Sequence, residues 1–363
     1  MNLSAPSAAF LASLRRGRVM MMSPTAVAKY AKSDPFKASV GTGPYTFTEY
    51  KSGQYVKLKR NENYWADDNY LDAITITIIP DPNTQVQAFL NGDFDVMGLV
   101  PAQVEQVRRR QGVTIHADLG NTFDYLSFNL ARPPFDNADV RRGFSAAINR
   151  AGIAKGVYQG YAVPASGPFN QKIGAAWADL SKLTEQSFSI DAAKSFLTKA
   201  NYDFGKSVPF SAFTQAPWAV EADALTAQLQ DVGIKVGLSK EDFGSWVQRV
   251  YTAKNFTIMN SAQTTRTVDP DEIIYPLMHS KGDLNASAIN DPALDKLLDQ
   301  ARGEANSDTR SGMYREIAEL VAKNAYAAFT VYPQSLNATA PNVGGFEASE
   351  GGTNSVARCW LAS

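Results

Sequence analysis

The residues able to do covalent or metal chemistry in this chain are few, and their spacing argues against most of it. Cys359 is the single cysteine, so neither an intrachain disulfide nor a thiolate cluster for zinc can form. A nucleophilic thiol needs a base beside it, yet the two histidines, His116 and His279, stand at no ligand or triad spacing to any other candidate. Neighbouring acids occur at Asp67-Asp68 and at Asp269 and Asp271. For such pairs, general acid–base work competes with the commoner tasks of capping a helix or closing a turn. The chain has no phosphate-cradling glycine loop, no GxSxG elbow and no HExxH pair. This inventory favours binding over catalysis, with no metal and no cofactor.

The overall charge removes two more classes. Net charge is −1, with lysine and arginine spread along the chain, so nothing draws it electrostatically to nucleic acid or an anionic membrane. The dense basic run at 15–18 is short and reads as a solvated loop or subdomain edge. No apolar run approaches the ~18 residues of a membrane span. The basic residues follow the apolar run 4–14 instead of preceding it, the reverse of an export signal.

The elements that must position any site are more legible. Residues 123–150 organise the rest. Tyr125, Ser127 and Asn129 alternate with Leu126, Phe128 and Leu130, the pattern of a two-faced strand. Pro133-Pro134 stops that strand. Asp136, Asn137 and Asp139 are cap candidates for a helix carrying Val140, Phe144, Ala147 and Ile148 on one stripe. We expect this stretch to carry the chain from one lobe into another, because 363 residues exceed one ordinary core.

Ahead of it, residues 1–40 are the least well-formed part, with a helix at 24–30 capped by Ser23. Strands are expected at 45–50 and 55–60 around the turn at Ser52-Gly53, then at 74–78, 94–97 and 113–117. Helices are expected at 85–91, closed by Gly92, and at 101–110. Beyond 150, strands at 210–214, 234–238, 256–260 and 328–332, the last ended by Pro333, are separated by longer helices. Those helices begin near Ser189, Pro217, Phe243, Asp291 and Asp308. Strands separated in this way indicate α/β layers with largely parallel pairing.

Several segments carry a resemblance. GTGPYTFTEY (41–50), KLKRNENYW (57–65), IPDPNTQVQAFLNGDFDV (79–96) and YLSFNLARPPFDNADVRRGFSAAINR (125–150) resemble the extracytoplasmic solute-binding proteins of ABC importers. The similar group is family 5, which includes oligopeptide-, dipeptide- and nickel-binding proteins. LQDVGIKV (229–236), VDPDEIIYPLMHSKG (268–282), NDPALDKLLDQAR (290–302) and AAFTVYPQSL (327–336) extend it in the family's order. The resemblance implies a type II periplasmic-binding-protein-like α/β fold of two lobes, with a solute enclosed between them. It implies lobe I at 41–130 with 333–363 returning to it, lobe II at 131–332, and crossing strands at 125–130 and 329–332. Residues 1–40 resemble only the end of an N-terminal subdomain, so the chain is expected to lack the family's N-terminal part.

The same resemblance supplies site candidates. In the peptide binders, the segment after the 256–260 strand runs aromatic–small–small–acid, and the acid pairs with the peptide's amino group. Counting back from Asp269-Pro270-Asp271 places Gln263 at the aromatic, Thr264 and Thr265 at the small positions, and Arg266 at the acid. An anchor of inverted sign suits a carboxylate or phosphate; the competing reading is a slipped alignment with Arg266 solvated. Phe123, Tyr125 and Tyr332 at the crossings, and Phe243, where the family often has an aromatic, are the wall candidates. Asp269 and Asp271 are expected to hold the loop, and Trp246 and His279 to be structural.

The function so implied is capture of a small solute, peptide-like or a modified anionic compound, and its delivery to an ABC permease from outside the cytoplasm. The protein would be a monomer without nucleic-acid partners. The alternatives are a ligand-sensing domain of a transcriptional regulator and a non-functional fragment.

Overall fold

In the computed structural model, the double-proline corner behaves as a punctuation mark between a strand and two helices. The structure describes residues 3, 6–14, 20–66, 68–348 and 354–362, so the basic run at 15–18 and Asp67 lie outside the described residues. Strand β6 (Thr122–Phe128) leads to the corner, and the Asn137 side chain accepts from the Asp139 backbone N–H to start a helix at Ala138–Ala146. The stripe read as one helix is two, because Asn149 caps a second at Arg150–Gly156 by accepting from the Gly152 N–H.

The chain divides into two compact units, one built on Leu119–Gln334 with Met1–Ser13, the other on Leu14–Asp118 with Ser335–Ser349 and the C-terminal residues. It passes between them at 118/119 and 334/335, not along 125–130 and 329–332, because β6 is paired along its length inside the larger unit. The residues read as one N-terminal remnant are likewise shared, the first thirteen going with the larger unit.

The smaller unit holds an antiparallel sheet, β1 (Tyr45–Lys51), β2 (Tyr55–Arg60) and β3 (Ala73–Thr77). Its other sheet is β4 (Val96–Gly98), the second half of β12 (Val331–Thr339) and β5 (Thr114–Leu119), in that order. Val86 and Phe89, from the helix Pro82–Asn91, pack with Met97, Val107 and Ala338 as its core. Gly92 ends that helix at φ 91°, a left-handed conformation that a side chain would strain.

The larger unit is a five-stranded sheet in the order β11 (Ala327–Phe329), β6, β10 (Ile258–Thr264), β8 (Ser207–Phe213) and β9 (Lys235–Glu241). Only β10–β8 and β8–β9 are parallel; β6 runs antiparallel to both its neighbours. The expectation of largely parallel pairing therefore fails, since the partners of β6 and β11 are set by contacts far apart in sequence that local periodicity does not record. Pro333 does not end its strand either: β12 pairs there with β7 (Ala162–Pro164) and runs on to Thr339. Proline is tolerated in such an edge pairing because no second neighbour needs its missing N–H.

Helices cover both faces of this sheet. On one, Phe128, Phe135 and Phe144 interlock with Leu126, Leu197, Phe210, Leu225 and Leu229. On the other, Phe123, Tyr125 and Phe329 meet Ile274, Leu298, Tyr314 and Ile317. Gly143, in the Ala138–Ala146 helix, is where Leu197 from the Ile190–Lys199 helix comes closest. An added Cβ would stand 2.7 Å from Leu197 Cγ and 3.1 Å from the Ala193 carbonyl. Gly143→Ala is therefore expected to lose roughly 1–3 kcal/mol to overpacking, more than the ~1 kcal/mol alanine gains over glycine in a helix. The check is the denaturant midpoint, with Gly143→Ala costing less in a Leu197→Ala background than in the wild type. No helix among the described residues is long and apolar enough to cross a membrane.

Candidate functional site

The order of strands in the larger unit creates a place for a ligand. From β8 the chain goes through the helix Trp218–Asp231 to β9 on one side, then through Phe243–Val247 to β10 on the other side of β8. The two helices leave on opposite faces: Ala222, Leu225 and Leu229 join the Phe144 core, and Trp246 and Val250 join a separate cluster with Phe213, Phe256 and Met259. At such a reversal the segments leaving the carboxyl ends of neighbouring strands diverge and open a crevice, the usual ligand position in open α/β sheets. Here that rim carries Phe213 at the end of β8, Trp218 just after it, Phe243 just after β9, and Gln263 to Arg266 at the end of β10.

Aromatic rings crowd this rim. Phe213 lies 5.2 Å from Trp218, 5.5 Å from Phe243 and 5.0 Å from Trp246, centroid to centroid. Phe243 stacks over Trp246 and is 49% exposed, whereas Trp246 is buried and donates its indole N–H to the Ser211 carbonyl. Phe243 thus presents a ring face to solvent on a rigid aromatic base. Tyr251 packs edge-on against Trp246, and its hydroxyl accepts from Gln263 Nε2 at 3.1 Å.

Gln263 joins this cluster to the crossing residues, because the same amide stands 3.5 Å from the Tyr125 hydroxyl. Burial, then the neighbouring Tyr251, pushes the Tyr125 phenol well above its ordinary value, so it stays a neutral hydrogen-bonding group. Phe123, Tyr125 and Tyr332 are all buried, packed with Phe329 and each other's elements. Tyr332 donates to the Gly167 and Phe169 carbonyls and so pins the 165–170 loop. Phe123, Thr265 and Tyr332 line one hollow of about 10 Å³ with Asn121, Phe169 and Asn170, room for at most a water.

Gln263 and Thr264, read as loop residues, are the last residues of β10, opposite Phe123 and Thr122. Thr264 Oγ1 lies 2.8 Å from Thr122 Oγ1 and is exposed; Thr265 is buried and donates its N–H to the Asn121 carbonyl. The loop proper is held by its acids. Asp269 takes a two-point pair from Arg310, Asp271 one from Arg302, and Glu272 accepts from the Arg266 and Thr267 N–H groups. The Arg266 side chain is exposed and makes no hydrogen bond or ion pair with the described residues. Trp218, Phe213 and Tyr251 were not singled out from sequence. Their signal was position, immediately around the ends of strands, and it becomes readable only once strand order is known.

A larger hollow, of about 750 Å³, lies in the smaller unit. Its walls are β3, the residues leading into and through β4, and segments near the C-terminus, with apolar side chains such as Ile74, Phe94, Met97 and Leu361. Its lining also holds the polar Thr75, Thr77, Gln85, Asp93 and Asp95; we place the candidate site at the rim of the larger unit because the strand reversal and the aromatic cluster coincide there.

Comparison with known proteins agrees with this architecture. Residues 1–285 match the family model of bacterial extracellular solute-binding proteins, family 5, middle part. Heme-binding protein A of Haemophilus influenzae is 28% identical over 342 residues, covering 89% of this chain and 60% of the relative. The glutathione-binding protein GsiB of Shigella flexneri is 26% identical over 356 residues, covering 95% and 69%. The ABC transporter-associated periplasmic binding protein DppA of Helicobacter pylori, solved with the peptide STSA, superposes with a TM-score of 0.86 at 24% identity. That match covers 99% of this chain and 71% of DppA. The chain thus spans 60% to 71% of the lengths of these three proteins. Family 5 proteins are transport binding proteins and not enzymes. With the mixed α/β units and the strand reversal in place, the family model's match over most of the chain means that this protein belongs to the bacterial extracellular solute-binding proteins of family 5.

Proposed function

We propose that this chain is the solute-capturing component of an ABC importer, acting outside the cytoplasm and handing its cargo to a membrane permease. Its cargo is a small peptide-like solute with a free carboxylate. The observation that carries this reading is the reversal of strand order at β8, which gathers Trp218, Phe243, Gln263 and Arg266 on one rim. The rings supply stacking area at little entropic cost, Gln263 a neutral hydrogen-bonding group, and Arg266 a guanidinium with no acid of the loop assigned to it. Relatives named for peptides, glutathione and heme support a cargo of this size and polarity.

The test is calorimetric titration with tripeptides, glutathione and the C-terminal amides of the tripeptides. Acids are expected to bind and their amides to bind more weakly. Arg266→Ala is expected to lower affinity for the acids about tenfold, the size of one charge-assisted hydrogen bond, and to leave the amides unchanged. Equal affinity of wild type and Arg266→Ala for the acids would overturn the anion anchor, and the absence of binding by every solute would overturn the peptide-like assignment.

A further inference from the structure

Beneath the rim, on the opposite face of β6 from Phe123 and Tyr125, two carboxyl groups are buried together. Asp124 and Glu221 both have zero exposure. Asp124 comes from β6 and Glu221 from the first turn of the Trp218–Asp231 helix. The titratable groups acting on them are each other and Tyr158. No Lys, Arg or His among the described residues neutralises either. Arg150, buried in the same unit, spends its guanidinium on the Phe329, Ser145 and Ile148 carbonyls, the Ser145 hydroxyl and Gln186.

Two buried anions side by side without a cation are too costly to coexist, so at least one proton must be retained. The hydrogen bonds say where. Asp124 is set up to accept: the Tyr158 hydroxyl donates to Oδ2, while Oδ1 is left without a donor and the Trp218 indole N–H, itself without a hydrogen-bond acceptor, favours the ionised form of this carboxyl. Glu221 accepts from the Thr330 hydroxyl at Oε1, 2.5 Å, while Oε2 has no donor. Beside it is Asn260, fully buried, whose amide N–H favours the ionised acid where it points at Glu221, but whose Nδ2 donates to the Trp218 carbonyl at 2.8 Å. Asn260 Oδ1 is therefore, like Glu221 Oε2 and Asp124 Oδ1, a buried acceptor without a donor. One proton on Glu221 Oε2 satisfies both.

We propose that Glu221 is a neutral carboxylic acid whose Oε2–H donates to Asn260 Oδ1, and that it acts as a positioning residue for the rim. Through Asn260 it ties β10 to the Trp218 turn, the two segments that flank the strand reversal. The assignment stands independently of which solute the protein carries.

Burial, then the charge on Asp124, raises the Glu221 carboxyl well above its ordinary value; burial raises Asp124 to about 7 although Tyr158 and Trp218 favour its ionised form. For an acid whose folded-state value is raised, the folded state holds protons that the unfolded state has released. Stability is then highest below the ordinary carboxylate range, about 4, and falls as pH rises from there through neutrality.

Infrared spectroscopy of the whole chain in heavy water, about two pH units above the Asp124 value of about 7 so that Asp124 is ionised, tests the proposal directly. The other carboxyls with resolved shifts are held low, so few protonated bands compete. A protonated-carboxyl C=O band is expected in the wild type and in Asp124→Asn, and not in Glu221→Gln, whose amide can still donate to Asn260. In Asn260→Ala the band is expected to move to higher wavenumber as its acceptor is lost, which tests the pairing even if Glu221→Gln does not fold. Thermal midpoints measured from pH 5 to 8 should fall several degrees in the wild type and less in Glu221→Gln. A wild type without the band, a band that survives Glu221→Gln, or one indifferent to Asn260→Ala would overturn the assignment.

Discussion

Trp218→Ala is expected to weaken solute binding by about thirtyfold, the effect of losing ~2 kcal/mol at a central aromatic contact. Trp218 stands directly after the β8 turn, against Phe213, with its backbone carbonyl held by Asn260. Its indole also connects the rim to the buried acid pair, so its removal takes away stacking surface and the N–H that favours an ionised Asp124 together. Trp218→Phe separates the two contributions. It keeps most of the ring area, removes the N–H that favours an ionised Asp124, and should cost only a few-fold in affinity. Calorimetric titration of both variants with the tightest-binding acid from the tripeptide and glutathione panel gives the comparison. Equal affinity of Trp218→Ala and wild type would remove the rim as the site, whatever the identity of the solute.

For stability, the largest single loss is expected at Phe144. This ring is fully buried, 4.9 Å from Phe135 and 6.1 Å from Phe128, both in edge-on geometry, and it also meets Tyr202. Phe144→Ala empties the centre of the core that joins the double-proline corner to the sheet. The cost is expected to be about 3–5 kcal/mol, a large share of the ~5–15 kcal/mol that holds a typical domain together. Equilibrium unfolding in guanidinium, followed by far-ultraviolet circular dichroism, should show the midpoint of the larger unit's transition shifted downward. Phe243→Ala, at an exposed ring, is the control and should move it little. A Phe144→Ala midpoint equal to that of the control would mean the aromatic trio is not the centre of this core.

What could be read from sequence follows the range of the interactions involved. The 55–60 strand, the Ser23 cap, the helix begun near Pro217 and the helix begun by Ser189 depend on residues within a few positions, and each is where it was expected. Pro333 misled because its meaning depends on whether a second strand lies alongside, which is decided by residues far away in the chain. The antiparallel entry of β6 was hidden for the same reason. At the site, matching motifs led to Gln263, Arg266 and Phe243, which do stand on the rim, and to Phe123, Tyr125 and Tyr332, which are buried beneath it. Trp218 and Tyr251 escaped notice because the reversal that brings them together leaves no periodic trace. Glu221 escaped because a glutamate in a helix's first turn ordinarily faces water and favours the helix dipole.

The hollow between β3 and β4 bears on how the polypeptide behaves in the test tube. Each of these strands has a ladder edge unpaired among the described residues, and β3, with the sequence AITIT, carries neither lysine nor proline to blunt it. Ile76 is 49% exposed at that edge. Such an edge is a template for strand-to-strand growth between molecules. It sets a ceiling on stock concentration and shelf life, and makes dilute storage the condition under which the rest of the molecule keeps its fold.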